Sequence, residues 1–299
     1  MCAHVVDIGD TNLNVEERGA GLPLLVLHGG PGLDHTMFGR QLDPLTDAVR
    51  LILVDQRAQG RSARDSDPAT WTLTQMAADV TALAAAMGLE RYAVLGHSFG
   101  AMVALQHAVD FSGGPVASII SSGVASEEQL MPFVEANLMA FEPAELREQI
   151  AASWEREATV ADDADVLALV TDQMPFHFAD PRDPRIAETA ADMQEGSYSA
   201  AVLRHFAAAG YGAIDLESRL GEVRHPVLVL AGRHDRVCSV PAAESIASGI
   251  PGAELAVIED AGHMTFVEQQ DAYLRLVSDF LGRHAHVFSE DAASSAHHP

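Results

Sequence analysis

Residues 91–109 read Arg91-Tyr92-Ala93-Val94-Leu95-Gly96-His97-Ser98-Phe99-Gly100-Ala101-Met102-Val103-Ala104-Leu105-Gln106-His107-Ala108-Val109. The opening residues form a short apolar run that ends at a glycine, which predicts a buried strand. The closing run from Ala101 to Val109 is compatible with helix. Between them lies a G-x-S-x-G, Gly96 to Gly100. A strand that turns into a helix over so few residues forces the central residue into a strained backbone conformation. Glycines two before and two after it let the two elements pass without a side-chain clash. The turn should expose the Ser98 hydroxyl, with the Phe99 N–H beside it at a helix N-terminus.

A serine hydroxyl is a poor nucleophile until a base takes its proton and a carboxylate orients that base. A nucleophile on such a turn takes its partners in the chain order serine, acid, histidine. Val227-Leu228-Val229-Leu230-Ala231-Gly232-Arg233-His234-Asp235 reads as a buried strand running into a loop that carries Asp235. Leu255-Ala256-Val257-Ile258-Glu259-Asp260-Ala261-Gly262-His263 reads as a second strand whose loop delivers His263. His97, next to the serine, should point off the turn; His225 precedes Pro226, and His234 adjoins the acid. The strand ending at Ser121 is followed by no nearby Asp, so Asp235 is the expected acid. Acyl transfer also needs donors for the oxyanion. His28-Gly29-Gly30-Pro31-Gly32 follows the strand Leu24–Leu27 directly, and its Gly/Pro density points to a backbone N–H aimed at a ligand. The Gly30 N–H is the natural partner of the Phe99 N–H.

The 299 residues suffice for one large domain, or for a core and a lid. Hydrophobic residues make up 48% and charged residues 20%, ordinary for a globular protein. The net charge is 18 − 43 = −25, spread along the chain. Such a surface disfavours phosphate backbones and anionic lipid, so a small-molecule substrate is expected, not nucleic acid or a membrane. Every basic residue is Arg, which excludes Schiff-base chemistry, a Lys general base and a P-loop lysine. Cys2 and Cys238 form neither a disulfide framework nor a zinc pattern, so no metal or cofactor is expected. With no export signal and no long apolar window, the reading is a cytoplasmic protein.

Short apolar runs alternate with helical stretches, which predicts an α/β architecture with a mostly parallel sheet flanked by helices. Strands are expected at Leu24–Leu27, Leu51–Asp55, Tyr92–Leu95, Val116–Ser121, Val227–Ala231 and Leu255–Ile258. An antiparallel pair, His4–Ile8 and Leu13–Glu17, brings the sheet to eight strands. Helices fit Leu73–Met87, Ala101–Val109, Ala242–Ser248 and Ala272–Leu281. The alternation stops between 123 and 220, where helix starts appear at Ser126, Pro143 and Asp162. We therefore expect a core of residues 1–122 and 221–283, a helical cap over 123–220, and a disordered tail over 284–299. The cap would lie over the carboxyl ends of the strands, where open α/β sheets hold ligands.

Together these residues resemble the α/β-hydrolase superfamily, and within it the proline iminopeptidases. The shared features are the HGGPG loop (His28 to Gly32) and a DQRG-x-GRS-like loop, here Asp55-Gln56-Arg57-Ala58-Gln59-Gly60-Arg61-Ser62. They extend to the Gly232-Arg233-His234-Asp235 segment and the Gly262-His263 pair. The resemblance implies an α/β-hydrolase fold and a serine hydrolase in which Ser98, Asp235 and His263 are catalytic. Two positions depart from the iminopeptidase pattern: the turn is Gly-His-Ser-Phe-Gly, not Gly-Gly-Ser-Trp-Gly, and Arg236 stands where some members have Glu. An arginine beside an ammonium pocket would repel an amine, so carboxylic esters or lactones are expected to outrank proline amides. Release of N-terminal proline is the alternative, and a ligand-binding receptor with vestigial turnover a further one. Expected pocket residues are His28, Met131, Phe133, Trp154, Met174, Phe176, His177, Phe178, Phe206 and Tyr211. Glu127, Glu128, Glu135 and Glu195 are the lid carboxylates that could meet an amine.

Overall fold

In a computed structural model, residues 2–284 are described, and the expected tail beyond His284 lies outside them. The strands are β1 (Cys2–Asp7), β2 (Asn12–Gly19), β3 (Leu22–Leu27), β4 (Val49–Val54), β5 (Ala93–His97), β6 (Ala117–Ser121), β7 (Val227–Gly232) and β8 (Glu254–Ile258). They form one sheet in the order β1-β2-β4-β3-β5-β6-β7-β8. β2 runs antiparallel to β1 and β4, and the other pairings are parallel. Each strand falls where the apolar runs place it.

Buried strands show why the sheet is covered on both faces. Leu25, Leu27, Ile52, Val54, Val94, Ile120, Val227 and Val229 point into one apolar cluster. Their neighbours Leu24, Val26, Leu51, Leu53, Ala93, Leu95, Ile119, Leu228 and Leu230 point into the other. That two-residue alternation, apolar on both sides, is what a sheet between two helical layers demands. Helices α1 (Leu73–Ala86) and α2 (Phe99–Asp110) fill the first layer.

Between β6 and β7 the chain is helical: α3 (Met131–Met139), α4 (Ala144–Glu157), α5 (Asp163–His177), α6 (Arg185–Asp192) and α7 (Ala200–Ala208), with short 3-10 turns before α3, between α6 and α7, and after α7. Asp162 caps α5 by accepting from the Asp165 N–H. After β7, α8 (Val240–Gly249) joins the first layer, while α10 (Gln270–Arg283), behind the short α9 (Thr265–Glu268), fills the second. Among the described residues no helix is long and apolar enough to cross a membrane.

The strand order reverses around β3, whose neighbours are β4 on one side and β5 on the other. The crevice beyond the carboxyl ends of β3 and β5 is therefore the topological switch point, where such sheets bind ligands. One loop braces it. The buried Asp55 carboxylate accepts from His35 Nδ1 (2.6 Å), His35 N (3.1 Å), Asn14 Nδ2 (2.9 Å) and Arg61 N (2.8 Å). Gly60, at φ +55°, passes so close that a Cβ there would sit 2.2 Å from Asp55 Cγ. From the same loop, Gln56 donates to His28 O (2.9 Å), and Gln59 Oε1 accepts from Gly32 N (2.6 Å). The DQRAQGRS segment is thus a clamp on the HGGPG loop.

Hydrogen bonds from His35 hold the Asp55 carboxyl down at about 2 against the opposing effect of burial. A depressed carboxylate pKa stabilises the fold above the ordinary carboxylate range, and that contribution is lost as pH falls toward 2. Asp55→Asn should lower unfolding free energy by about 3 kcal/mol at neutral pH, since it strips charge from a buried, fully engaged pair. Urea midpoints at pH 7 and pH 3 are the check; the deficit should shrink at the lower pH.

Candidate active site

Ser98 follows β5 and caps α2 with φ 56° and ψ −118°, a conformation that L-residues hold only under constraint. The constraint is packing. A Cβ on Gly96 would lie 2.0 Å from Gly100 O, and one on Gly100 would lie 2.3 Å from Leu27 O. Strand β5, helix α2 and the end of β3 therefore touch backbone to backbone, and only glycine fits at either position.

The three residues expected to act together do meet. Ser98 Oγ is 2.8 Å from His263 Nε2, and His263 Nδ1 is 2.8 Å from Asp235 Oδ2. Asp235 comes from the loop after β7 and His263 from the loop after β8. The second oxygen of Asp235 accepts from the N–H groups of Val237 (2.8 Å) and Cys238 (2.9 Å). The carboxylate is aimed, so Nδ1–H of His263 donates to it and Nε2 is left to accept from Ser98. Two neutral rings flank His263: His97 at 5.0 Å and His177 at 5.2 Å between ring centroids. Burial holds His97 well below the usual imidazole range and brings His177 down to about 3. Gly30 and Phe99, the expected oxyanion donors, both border the cavity beside Ser98.

That cavity has two lobes that meet at Gly30, Ser98, Glu157, Gln173, His177 and Tyr211. The smaller, about 90 Å³, runs past His263, Met264 and Leu33. The larger, about 490 Å³, runs past Phe99, Met102, Val237 and Cys238 under α3 and α4. Of the residues expected to line the pocket, Met131, Trp154, Met174, His177 and Tyr211 do so. His28, Phe133, Phe176, Phe178 and Phe206 border neither lobe. His28 is a buried strut whose ring bonds Gly29 O (2.7 Å) and Gln56 N (3.2 Å). Phe133 lies off the stripe Leu130–Val134–Leu138 that α3 turns to the cavity. Phe176 packs between Phe141 and Trp154, Phe178 is fully buried, and Phe206 sits edge-on against Phe99 at 4.8 Å. Phe206 thus ties the helical insertion to the core, whereas Phe176 knits the insertion's own segments together.

The sequence reading missed Glu157. It ends α4 on the buried side set by Ile150 and Ser153, and it borders both lobes. Tyr211 Oη donates to one of its oxygens and Gln173 Nε2 to the other (2.8 Å). Burial pushes its carboxyl above the usual range despite those donors. Helical spacing from Ile150 was the available signal. Glu135 borders the larger lobe at its exposed rim, whereas Glu127, Glu128 and Glu195 border neither lobe. Arg236 faces elsewhere than expected. Its guanidinium donates to Phe176 O, Phe178 O and Ala179 O and lies 5.0 Å over the Phe141 ring. No arginine borders either lobe among the described residues.

Among the described residues two groups of ligand-type side chains converge, Asp235–Cys238–His263 and Asp34–His35–Asp55. The donor sets do not suit a metal. Asp235 and Asp55 are saturated by N–H donors, and burial pushes the Cys238 thiol well up, away from the thiolate a metal needs.

A family model described as alpha/beta hydrolase fold matches residues 23–270. The proline iminopeptidase of Lactobacillus delbrueckii subsp. bulgaricus is 29% identical over 273 residues, covering 87% of this chain and 89% of that protein. The crystal structure of a proline iminopeptidase from Mycobacterium smegmatis aligns with TM-score 0.74 and 26% identity, over 97% of this chain and all of that one. An α/β-fold hydrolase from Bacillus anthracis aligns with TM-score 0.77 at 22% identity, over 94% of this chain and 99% of that one.

The His263 loop is tied to the helical insertion. His263 N donates to His177 O (2.7 Å), while Glu268 accepts from Gly262 N (2.8 Å) and Ala179 N (2.7 Å). Glu268→Gln keeps the shape but turns an NH2 toward one of those donors. We expect kcat to fall about tenfold to a hundredfold with KM within about twofold, the scale of one charge-assisted hydrogen bond. An unchanged kcat would show that the tie does not set the His263 geometry.

Proposed function

The chain belongs to the α/β-hydrolase family, and from that premise we propose that it is a serine hydrolase acting on amides or esters whose acyl part carries a free amine. An N-terminal residue of a peptide is the natural example. Ser98 Oγ attacks the carbonyl carbon while its proton passes to His263 Nε2, and Asp235 stabilises the imidazolium that forms. The Gly30 and Phe99 N–H groups take the oxyanion, the latter aided by the N-terminus of α2. Collapse expels the leaving amine or alcohol with the proton from His263. Water, deprotonated by the same nitrogen, then frees the acyl group from Ser98.

Glu157 carries the substrate assignment. A buried carboxylate that lines the same cavity as the nucleophile, where no arginine among the described residues does, is a poor neighbour for an anion and a strong one for an ammonium group. Because Arg236 is spent on the carbonyls of residues 176–179, the sequence-based reason for disfavouring an amine falls away. The iminopeptidase relatives support the same reading. Esters and lactones are the second reading, favoured by the largely apolar wall of the larger lobe. With both cysteines free, the site suits a reducing compartment such as the cytoplasm.

Ser98→Ala should remove nearly all turnover, by about 10⁴-fold or more, and abolish fluorophosphonate labelling. Retained labelling would place the nucleophile elsewhere.

Glu157→Gln separates the two readings of the substrate. It should cut kcat/KM for proline p-nitroanilide at least about tenfold and leave p-nitrophenyl butyrate within about threefold. The sign with pH follows from the raised carboxyl. Amine binding needs the carboxylate, so wild-type kcat/KM for the anilide should climb as pH rises through the Glu157 titration. Butyrate hydrolysis should lack that component, and so should the variant. Equal losses on both substrates would sink the amine reading.

A further inference from the structure

The two lobes are not equivalent to the reaction. In the tetrahedral intermediate the former carbonyl carbon holds four groups: Ser98 Oγ, the oxyanion, the leaving atom and the acyl carbon. The oxyanion points to the Gly30 and Phe99 N–H groups. The leaving atom must come within hydrogen-bond reach of His263 Nε2, which gives it its proton. His263 and its neighbour Met264 border the smaller lobe and are not among the residues that border the larger one. The leaving group therefore departs along the smaller lobe. The acyl carbon is left facing the other way, toward Phe99, Met102 and Val237.

From this we infer that the larger lobe is the acyl side of the site, and that it selects acyl groups well beyond the size of a prolyl group. Its volume of about 490 Å³ lies in the range of cavities that enclose a drug-sized ligand, of which a pyrrolidine ring fills only a small part. Met102, Val134 and Trp154 give it an apolar wall, and Ala151 and Ala207 leave it wide. Glu157, at the junction of the lobes, lies where an amine on the α-carbon of the acyl group would sit. The substrate class is thus an acyl group with a long or bulky apolar side chain, carrying an amine where the reading above holds, joined to a slender leaving group. The lobe assignment rests on the serine-hydrolase reading; only the amine depends on Glu157.

The test holds the leaving group constant and varies the acyl part. The p-nitrophenyl esters of acetate, butyrate and octanoate, and the p-nitroanilides of proline and phenylalanine, form the panel. Wild-type kcat/KM should rise at least about tenfold from acetate to octanoate, and phenylalanine should match or exceed proline. Ala207→Phe and, separately, Ala151→Phe narrow the lobe from two helices. At least one should cut octanoate about tenfold while leaving acetate within about twofold. A wild type that prefers acetate, or two folded variants that lower every ester alike, would overturn the assignment. Cleavage of the esters but of neither anilide would overturn the amine reading alone, with the ester series still deciding the lobe.

Discussion

Backbone packing around Ser98 is the constraint on which the rest of the site depends. With no side chain at Gly96 or Gly100, α2 lies directly on β5 and on the end of β3. The serine is thereby locked at a positive φ and its hydroxyl stands clear of both elements. Three consequences come from that one contact. The hydroxyl reaches His263, the Phe99 N–H heads a helix, and the loop after β3 comes close enough for Gly30 to face the same point. Strain at the serine persists because burial on both faces of the sheet leaves the strand and helix no room to relax.

The helical insertion is part of the catalytic apparatus and not only its cover. Its segment 176–179 touches both loops that bring residues to Ser98: His177 O holds the His263 N–H, and Arg236, next to the acid, donates to three carbonyls there. Gly262 is glycine because a Cβ would stand 2.6 Å from Ala179 N. On the other side, Ser199 N donates to Gly32 O, and Ser197 N to Asp34 (2.7 Å), tying the insertion to the oxyanion loop. Every loop that shapes the reaction thus leans on the insertion, which lets the same helices set both geometry and pocket.

What could be read in the sequence was what short-range patterning decides. The turn at Gly96–Gly100, the apolar strands and the order of Ser98, Asp235 and His263 are local signals, each fixed by a few adjacent residues. The pocket was harder because large apolar side chains serve two purposes with one composition. Phe176 and Phe206 look like Trp154 in sequence, yet Phe176 packs inside the insertion, Phe206 packs against Phe99 of the core, and Trp154 faces the cavity. Arg236 was misplaced because carbonyls brought in from residues 176–179 set its direction. Glu157 was hidden among 43 carboxylates. Its hydrogen-bond partners, Tyr211 and Gln173, are brought to it only by the folded chain.

The acidity of the chain acquires a sharper meaning from Glu157. Spread over the surface, a net charge of −25 does little more than favour solvation and attract cations at long range. Water and counter-ions screen those charges within about 10 Å. Glu157 is different because burial removes the screening and raises its proton affinity, and its two neutral donors, Tyr211 and Gln173, do not offset that cost. The ammonium group of the proposed substrate would supply the missing opposite charge and offset the desolvation cost. For the amine-bearing substrate proposed above, the surface charge would raise the local concentration of cations, and Glu157, at the junction of the two lobes, would hold the ammonium group. On that proposal the division of labour is between long-range attraction, which salt weakens, and a short-range buried pair, which salt screens far less.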